Sequence, residues 1–348
     1  MQIAPVTSLS ARALARGAAV LPGLLVVLVI AAVATFLGQF MPAVGAVLPA
    51  LVIGVVAASI RPPSARLQPG IAFASKMLLQ VAVVLLGLRL SVGDVYSVGR
   101  QSLPVLLGTL TACMIAAPLV GRLLKVDRVV RTLIGVGTGV CGLSAIAAVA
   151  PILGAASVEL ATAVSTIFLF NVIAVAAFPL IGHALNMDPA TFGLFAGTAV
   201  NDTSSVVAAA SVFSAAALST AVVVKLVRTL AIIPISIGLS VMESRREAKH
   251  NPRPMTAGRV AKMLPWFIAG FLVLVVLNSV VHVPPSVHDS VAALTSFLIA
   301  MALAGIGLST DLQAMRRAGW RPLALGAILW IVVSATALAI MWATGAMS

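Results

Sequence analysis

Apolar stretches about as long as a bilayer's hydrocarbon is thick recur along almost the whole chain, and they constrain the fold more than any other feature. Spanning hydrocarbon as a helix takes about 20 residues. Stretches of that length fall near 18–37, 41–60, 71–90, 102–122, 131–153, 159–184, 189–213, 215–241, 263–282, 290–309 and 322–346. A chain of 348 residues that is 61% hydrophobic and 9% charged has no room for a separate soluble domain. The expectation is an all-α membrane protein of about eleven transmembrane helices, with ten as the alternative count. It reads as one polytopic domain over 1–348: an N-terminus at 1–17, eight helices over 18–241, a polar linker at 242–262 and three helices over 263–348.

A net charge of +13 raises the question of nucleic acid, and the position of the cations answers it. With a cytoplasmic N-terminus, inward loops carry 18 of the 22 Lys and Arg, whereas outward loops carry only Arg89 and Arg100. This is the positive-inside pattern of a bacterial inner-membrane protein, N-terminus inside and C-terminus outside. The basic excess serves topology and anionic lipid, not DNA.

Two of the apolar stretches are interrupted by polar residues that resemble one another. In 137–144 the chain reads Gly-Thr-Gly-Val-Cys-Gly-Leu-Ser, and in 197–204 Gly-Thr-Ala-Val-Asn-Asp-Thr-Ser. At a constant offset Gly137 matches Gly197, Thr138 Thr198, Val140 Val200 and Ser144 Ser204. Irregular backbone inside hydrocarbon survives only where protein or a wet cavity satisfies it, so the pair suggests one shared site for a polar solute. As continuous spans the fifth and seventh stretches would run the same way. Either one segment is re-entrant, or the likeness reflects small residues needed for close packing.

Of the nine acidic residues, Asp202 alone falls near the middle of an expected span. A carboxylate there costs about 2.5 to 3.5 kcal/mol unless paired, protonated or hydrated. Lys225 and Arg228, three residues apart on the next stretch, share a helix face and are its expected partners. One carboxylate against two cations suits an anionic substrate. The expected substrate-binding set is Thr138, Gly139, Cys141, Gly142 and Ser144 from the first segment, and Asn201, Asp202, Thr203, Ser204 and Ser205 from the second. Lys225 and Arg228 complete it, with Asp202 also the expected coupling group. Glycines at 135, 137, 139 and 142 permit a helix break whose N–H groups would face an anion. Asn171, midway along the sixth stretch, either faces the same cavity or joins helices.

Other chemistry finds little support. Ser144 or Cys141 with His183 at a helix end makes no convincing nucleophile–base pair, so no enzyme is expected. The four histidines and two cysteines show no metal-ligand spacing, and no phosphate-binding loop of the Gly-x4-Gly-Lys type occurs, so neither cofactor nor metal is expected. A second echo, Gly87-Leu88-Arg89-Leu90-Ser91 against Gly305-Ile306-Gly307-Leu308-Ser309, lies across the 242–262 linker with the relation of inverted repeats.

Several of these residues also carry a family likeness. Pro69-Gly70-Ile71, Lys76 to Leu79 and Gly87 to Ser91, then Cys141 through Pro151 and Asn201 through Ala210, resemble the YeiH-type sulfate exporter family. That resemblance implies a multi-pass inner-membrane protein exporting sulfate or a related sulfur oxyanion. Asn201 stands where that family has histidine. A more distant similarity to bile-acid symporters and cation/proton antiporters implies an inverted-repeat transporter with discontinuous helices. The partners expected are thus a small inorganic or organosulfur anion, H+ or Na+ as coupling ion, membrane lipids and a second copy in a homodimer. Import of a small organic anion and passive anion conduction are the alternatives.

Overall fold

The computed structural model describes residues 7–40, 46–246, 265–281, 284–310 and 319–347, and every regular element in them is helical. In chain order these are α1 (Thr7–Gln39), α2 (Val47–Ile60), α3 (Gln68–Phe73), a π turn (Ala74–Leu78), α4 (Leu79–Leu86) and a 3-10 turn (Gly87–Arg89). Then follow α5 (Val92–Leu123), α6 (Arg128–Gly139), α7 (Leu143–Val149), α8 (Ser157–Ala184), α9 (Pro189–Ala199), α10 (Thr203–Phe213) and α11 (Ala215–Thr229). The chain continues with α12 (Ile232–Arg246), α13 (Trp266–Val280), α14 (Pro285–Leu308) and α15 (Trp320–Ala343). By length and composition seven of the described helical segments can cross a membrane, and Val47–Ile60, Thr203–Phe213 and Trp266–Val280 are shorter apolar helices. Most of the expected 242–262 linker lies outside the described residues.

The chain forms two compact units, Met1–Leu88 with Val283–Leu312 and Arg89–His282 with Gln313–Ser348. In the first, α1 and α3, and likewise α2 and α14, cross through glycines. A Cβ on Gly54 would lie 3.0 Å from Gly307 Cα, and one on Gly307 would lie 2.9 Å from Gly54 Cα. Gly23 and Gly70 make the same reciprocal approach. Lipid offers no hydrophobic drive for helices to associate, so van der Waals contact between closely approaching backbones has to do it. Val27, Ala31, Ala50, Ile71, Ala74, Ala300 and Ala304 fill the interior of this unit.

In the second unit, α8 serves as a ruler. Its 28 residues extend about 42 Å, and Asn171 sits at its midpoint. Gly137, near the end of α6, packs against Ile167 of α8, and Asn201 and Asp202 bond to Asn171. Gly142, which follows α6, packs against Asp202. Hence α6 advances alongside α8 until it reaches the level of Asn171. From there α7 and a short loop must return to Ser157, where α8 begins, and Ile146 of α7 lies against Gly137. The pair α6–α7 is therefore a helical hairpin that enters about halfway and turns back.

The pair α9–α10 repeats this from the opposite end. Phe192 and Phe213 stack with ring centroids 4.0 Å apart, and His183 stacks on Phe213 at 4.5 Å. The start of α9 and the end of α10 therefore meet at the C-terminal end of α8, while the turn between them reaches Asn171. Next, α11 runs back along α9 in the same direction, with Gly193 against Thr220 and Gly197 against Val224. The expected fifth and seventh spans are thus not continuous helices: each is a hairpin of two short helices, entered from opposite ends of α8, which removes the conflict over their direction.

Around the hairpins, α5 packs antiparallel to α6 through Ala117 at Gly135 and Cys113 at Gly139, while α15 lays Gly326 against Thr166 and Phe170 of α8. Trp330 of α15 stacks on Phe178 at 5.2 Å. One salt bridge, Arg128 to Glu243, ties the start of α6 to α12.

Candidate functional site

Where each hairpin turns, its first helix ends and leaves carbonyls with no intrahelical partner. In α6 these include Thr138 and Gly139, and in α9 Thr198. The valines that follow leave the helix: Val140 adopts φ −119, ψ −92 and Val200 adopts φ −83, ψ 136. Both helices point their C-termini, the negative ends of their dipoles, at the same place.

Two buried cations from α11 meet them. The Arg228 guanidinium donates from Nη2 to Thr138 O at 2.6 Å, from Nε to Gly139 O at 2.9 Å and from Nη1 to Thr198 O. The Lys225 ammonium donates to Val200 O at 2.7 Å and Val140 O at 3.2 Å. Arg228 thus takes residues 138 and 198 and Lys225 takes 140 and 200, the same partners at the offset that aligned the two sequences. Lys225 is fully buried and Arg228 is 2% exposed. An isolated buried cation would be costly, and here each is paired with the carbonyls that need it.

The expected pairing of Lys225 and Arg228 with Asp202 is therefore corrected. Neither cation forms a salt bridge with Asp202. Asp202 instead caps α10. Its carboxylate accepts from Ser205 N–H at 3.0 Å, the Ser205 hydroxyl at 2.7 Å, the Asn171 amide nitrogen at 2.5 Å and the Ser204 hydroxyl. Asn171 also accepts from Asn201 N–H at 3.2 Å, so one amide fastens the second turn to the midpoint of α8.

Gly142 and Asp202 occupy equivalent places at the starts of α7 and α10. Gly142 has φ +64, and a Cβ there would come within 2.8 Å of the Asp202 Cβ. Both its conformation and its surroundings require glycine.

The two turns thus gather all the expected residues at one junction. Cys141 is buried beside them and Thr203 and Ser204 are half-buried, as is Asp202, while Ser144 is exposed at the start of α7. Three oxygens there have no partner although their residues are almost wholly buried: Thr138 Oγ1, Thr198 Oγ1 and Asn201 Oδ1. Two residues outside the expected set also belong to the site. Thr198 could have been found by its alignment with Thr138, and Asn171 by its place midway along an apolar helix. Among the described residues no three His, Cys, Asp or Glu side chains gather to hold a metal. The chemistry on offer is hydrogen bonding to oxygen, together with one carboxylate.

Long apolar helices surrounding a polar junction of two half-length hairpins define a multi-pass helical membrane protein. Residues 22–326 match the family model described as conserved hypothetical protein 698, and the chain belongs to that family. It is 40% identical over 332 residues to a UPF0324 membrane protein of Streptococcus pyogenes serotype M6, covering 93% of this chain and 97% of that one. It is 42% identical over 323 residues to a UPF0324 membrane protein of Streptococcus pneumoniae serotype 4, covering 91% and 95%. No solved structure matches the chain.

Proposed function

We propose that this protein is a secondary active transporter that carries a small oxyanion, sulfate or a related sulfur oxyanion, outward across the bacterial inner membrane. The observation that carries the reading is the meeting of the two hairpin turns midway along α8, where Asp202, Thr203 and Ser204 are half-buried and Ser144 is exposed. Half-length helices that meet at a polar centre are the usual way a helical carrier builds a binding site inside hydrocarbon.

Charge favours an anion. Each half-helix C-terminus contributes about half a negative charge and each following N-terminus about half a positive one. Adding Lys225, Arg228 and Asp202 leaves roughly one positive charge at the junction. Hydroxyl and amide donors of Ser144, Thr203, Ser204 and Asn201 suit a tetrahedral oxyanion, which they could bind without a metal. The sulfur class comes from the resemblance to YeiH-type sulfate exporters. Asp202 is the coupling group in this reading, with H+ as the coupling ion.

Orientation follows from loop charge. Two re-entrant segments in place of two spans cancel in the count, so the basic loops stay on one side. The N-terminus is then cytoplasmic and the C-terminus outside.

The test is counterflow in proteoliposomes with labelled sulfate, sulfite, thiosulfate and small carboxylates under imposed pH and sodium gradients. Saturable counterflow of a sulfur oxyanion that responds to the pH gradient is expected. Flux of carboxylates alone, or flux that neither saturates nor exchanges, would contradict the proposal.

A further inference from the structure

At the start of α10, one side chain holds four donors. The two oxygens of Asp202 accept from the Ser204 hydroxyl, the Ser205 hydroxyl and N–H, and the Asn171 amide, with no cation bridged to them among the described residues. Two oxygens of a bound oxyanion would ask for the same contacts. Close by, the hydroxyls of Thr138 and Thr198, able to donate, have no partner although these residues are 1% and 0% exposed. Other buried helical threonines spend their hydroxyl on a carbonyl one turn back, Thr109, Thr166 and Thr229 among them. Buried polar groups left without partners point to something the chain does not supply.

Resting on the transport reading above, we propose that Asp202 is a built-in occupant of the oxyanion site. Ionised, it holds the donors for itself; protonated, it releases them to the anion, so that proton and anion bind together. The step moves one proton onto a carboxylate oxygen and breaks no covalent bond. A divalent oxyanion entering with one proton brings one net negative charge, against the roughly one positive charge at the junction.

The charged and titratable groups around Asp202 are Lys225 and Arg228 on α11, both engaged by carbonyls, and the Cys141 thiol in the α6–α7 turn. Glu159 and His183 on α8, Asp188 before α9, and Arg128 and Arg131 on α6 sit at helix ends away from the turns. Neither α7 nor α10 carries a titratable group.

The experiment is equilibrium binding of radiolabelled sulfate and thiosulfate to the purified full-length protein in detergent, from pH 5 to pH 8. Wild-type affinity should fall by up to about tenfold per pH unit, the slope for one linked proton. Asp202→Asn cannot ionise yet caps a helix as well as aspartate, so it should bind without pH dependence and, at pH 8, at least as tightly as wild type does at pH 5. Ser205→Ala should weaken binding in the Asp202→Asn background, and less in wild type at pH 8, where the ionised carboxylate of the free protein loses the same donor. Binding by wild type that ignores pH, or an Asp202→Asn protein that keeps the wild-type slope or elutes as a folded species without binding, would overturn this inference alone. Absence of binding in every protein at every pH would overturn the sulfur-oxyanion reading as well.

Discussion

The carbonyls of Thr138 and Thr198, aligned in sequence and carried on two hairpins that enter from opposite ends of α8, accept hydrogen bonds from one guanidinium, that of Arg228. With Lys225 doing the same for Val140 and Val200, α11 bolts the two turns together. The cations that look in sequence like counter-ions for Asp202 or an anion are the fasteners of the backbone around the site.

Removing a fastener should therefore cost stability before it affects affinity. Arg228→Ala leaves several buried carbonyls unsatisfied, at about 1 to 3 kcal/mol for each group stranded. A loss of at least about 3 kcal/mol is expected, read as a lower unfolding midpoint in detergent. Arg228→Lys should recover only part of it, since a single ammonium cannot meet the three carbonyls of Thr138, Gly139 and Thr198 that the guanidinium fork reaches through Nη2, Nε and Nη1. Wild-type stability in Arg228→Ala would show that the bolt is not needed.

Gly142 should tolerate no side chain. Gly142→Ala forces a Cβ into positive φ and against Asp202, and a cost of about 1 to 3 kcal/mol is expected from the backbone alone. The same thermal measurement checks it, with Gly154→Ala as the comparison: Gly154 also has positive φ, but nothing lies within 4 Å of its added Cβ.

The hairpins predict which loops share a side of the membrane. Single cysteines at Lys125 and Gly154, in a background lacking Cys113 and Cys141, should react with an impermeant maleimide from one face of oriented vesicles, and a cysteine at Asn186 from the other. Continuous fifth and seventh spans would place Gly154 opposite Lys125.

Asp188 starts the second hairpin much as Asp127 starts the first, accepting from Ala190 N–H at 2.8 Å and from the Thr191 hydroxyl at 2.5 Å. The Thr191 hydroxyl, ahead of the backbone N–H groups of Thr191 and Ala190, holds its carboxyl below the usual value of 3.8, against a smaller opposing effect of burial. A depressed folded value means that the stabilisation is present above the unfolded value, about 3.9, and is lost as pH falls through the folded one. Asp188→Ala should thus cost about 1 kcal/mol at pH 7, and the difference from wild type should shrink below about pH 4. Midpoints that differ equally at pH 7 and pH 3 would contradict the assignment.

Much of the site could be read from residues, and what could not has a physical reason. Thr138 with Thr198 and Val140 with Val200 align because each pair does one backbone job twice. Asp202 stood out because a carboxylate amid apolar residues is costly. The partners of Lys225 and Arg228 were hidden because they are carbonyls, which every residue carries. The turning back of α6–α7 and α9–α10 was hidden too, since a half-depth hairpin of apolar residues with glycines at its bend has the length and composition of a span.

The central claim, that a transported oxyanion binds where the two hairpins turn, is tested most directly at Ser144, which is exposed at the start of α7. Ser144→Cys in the same cysteine-free background should react with a small charged thiol reagent in proteoliposomes. The transported sulfur oxyanion should slow that reaction, with half-protection at the concentration that half-saturates its flux. An anion that is carried at full rate yet leaves the labelling of residue 144 unchanged at saturating concentration would contradict the account.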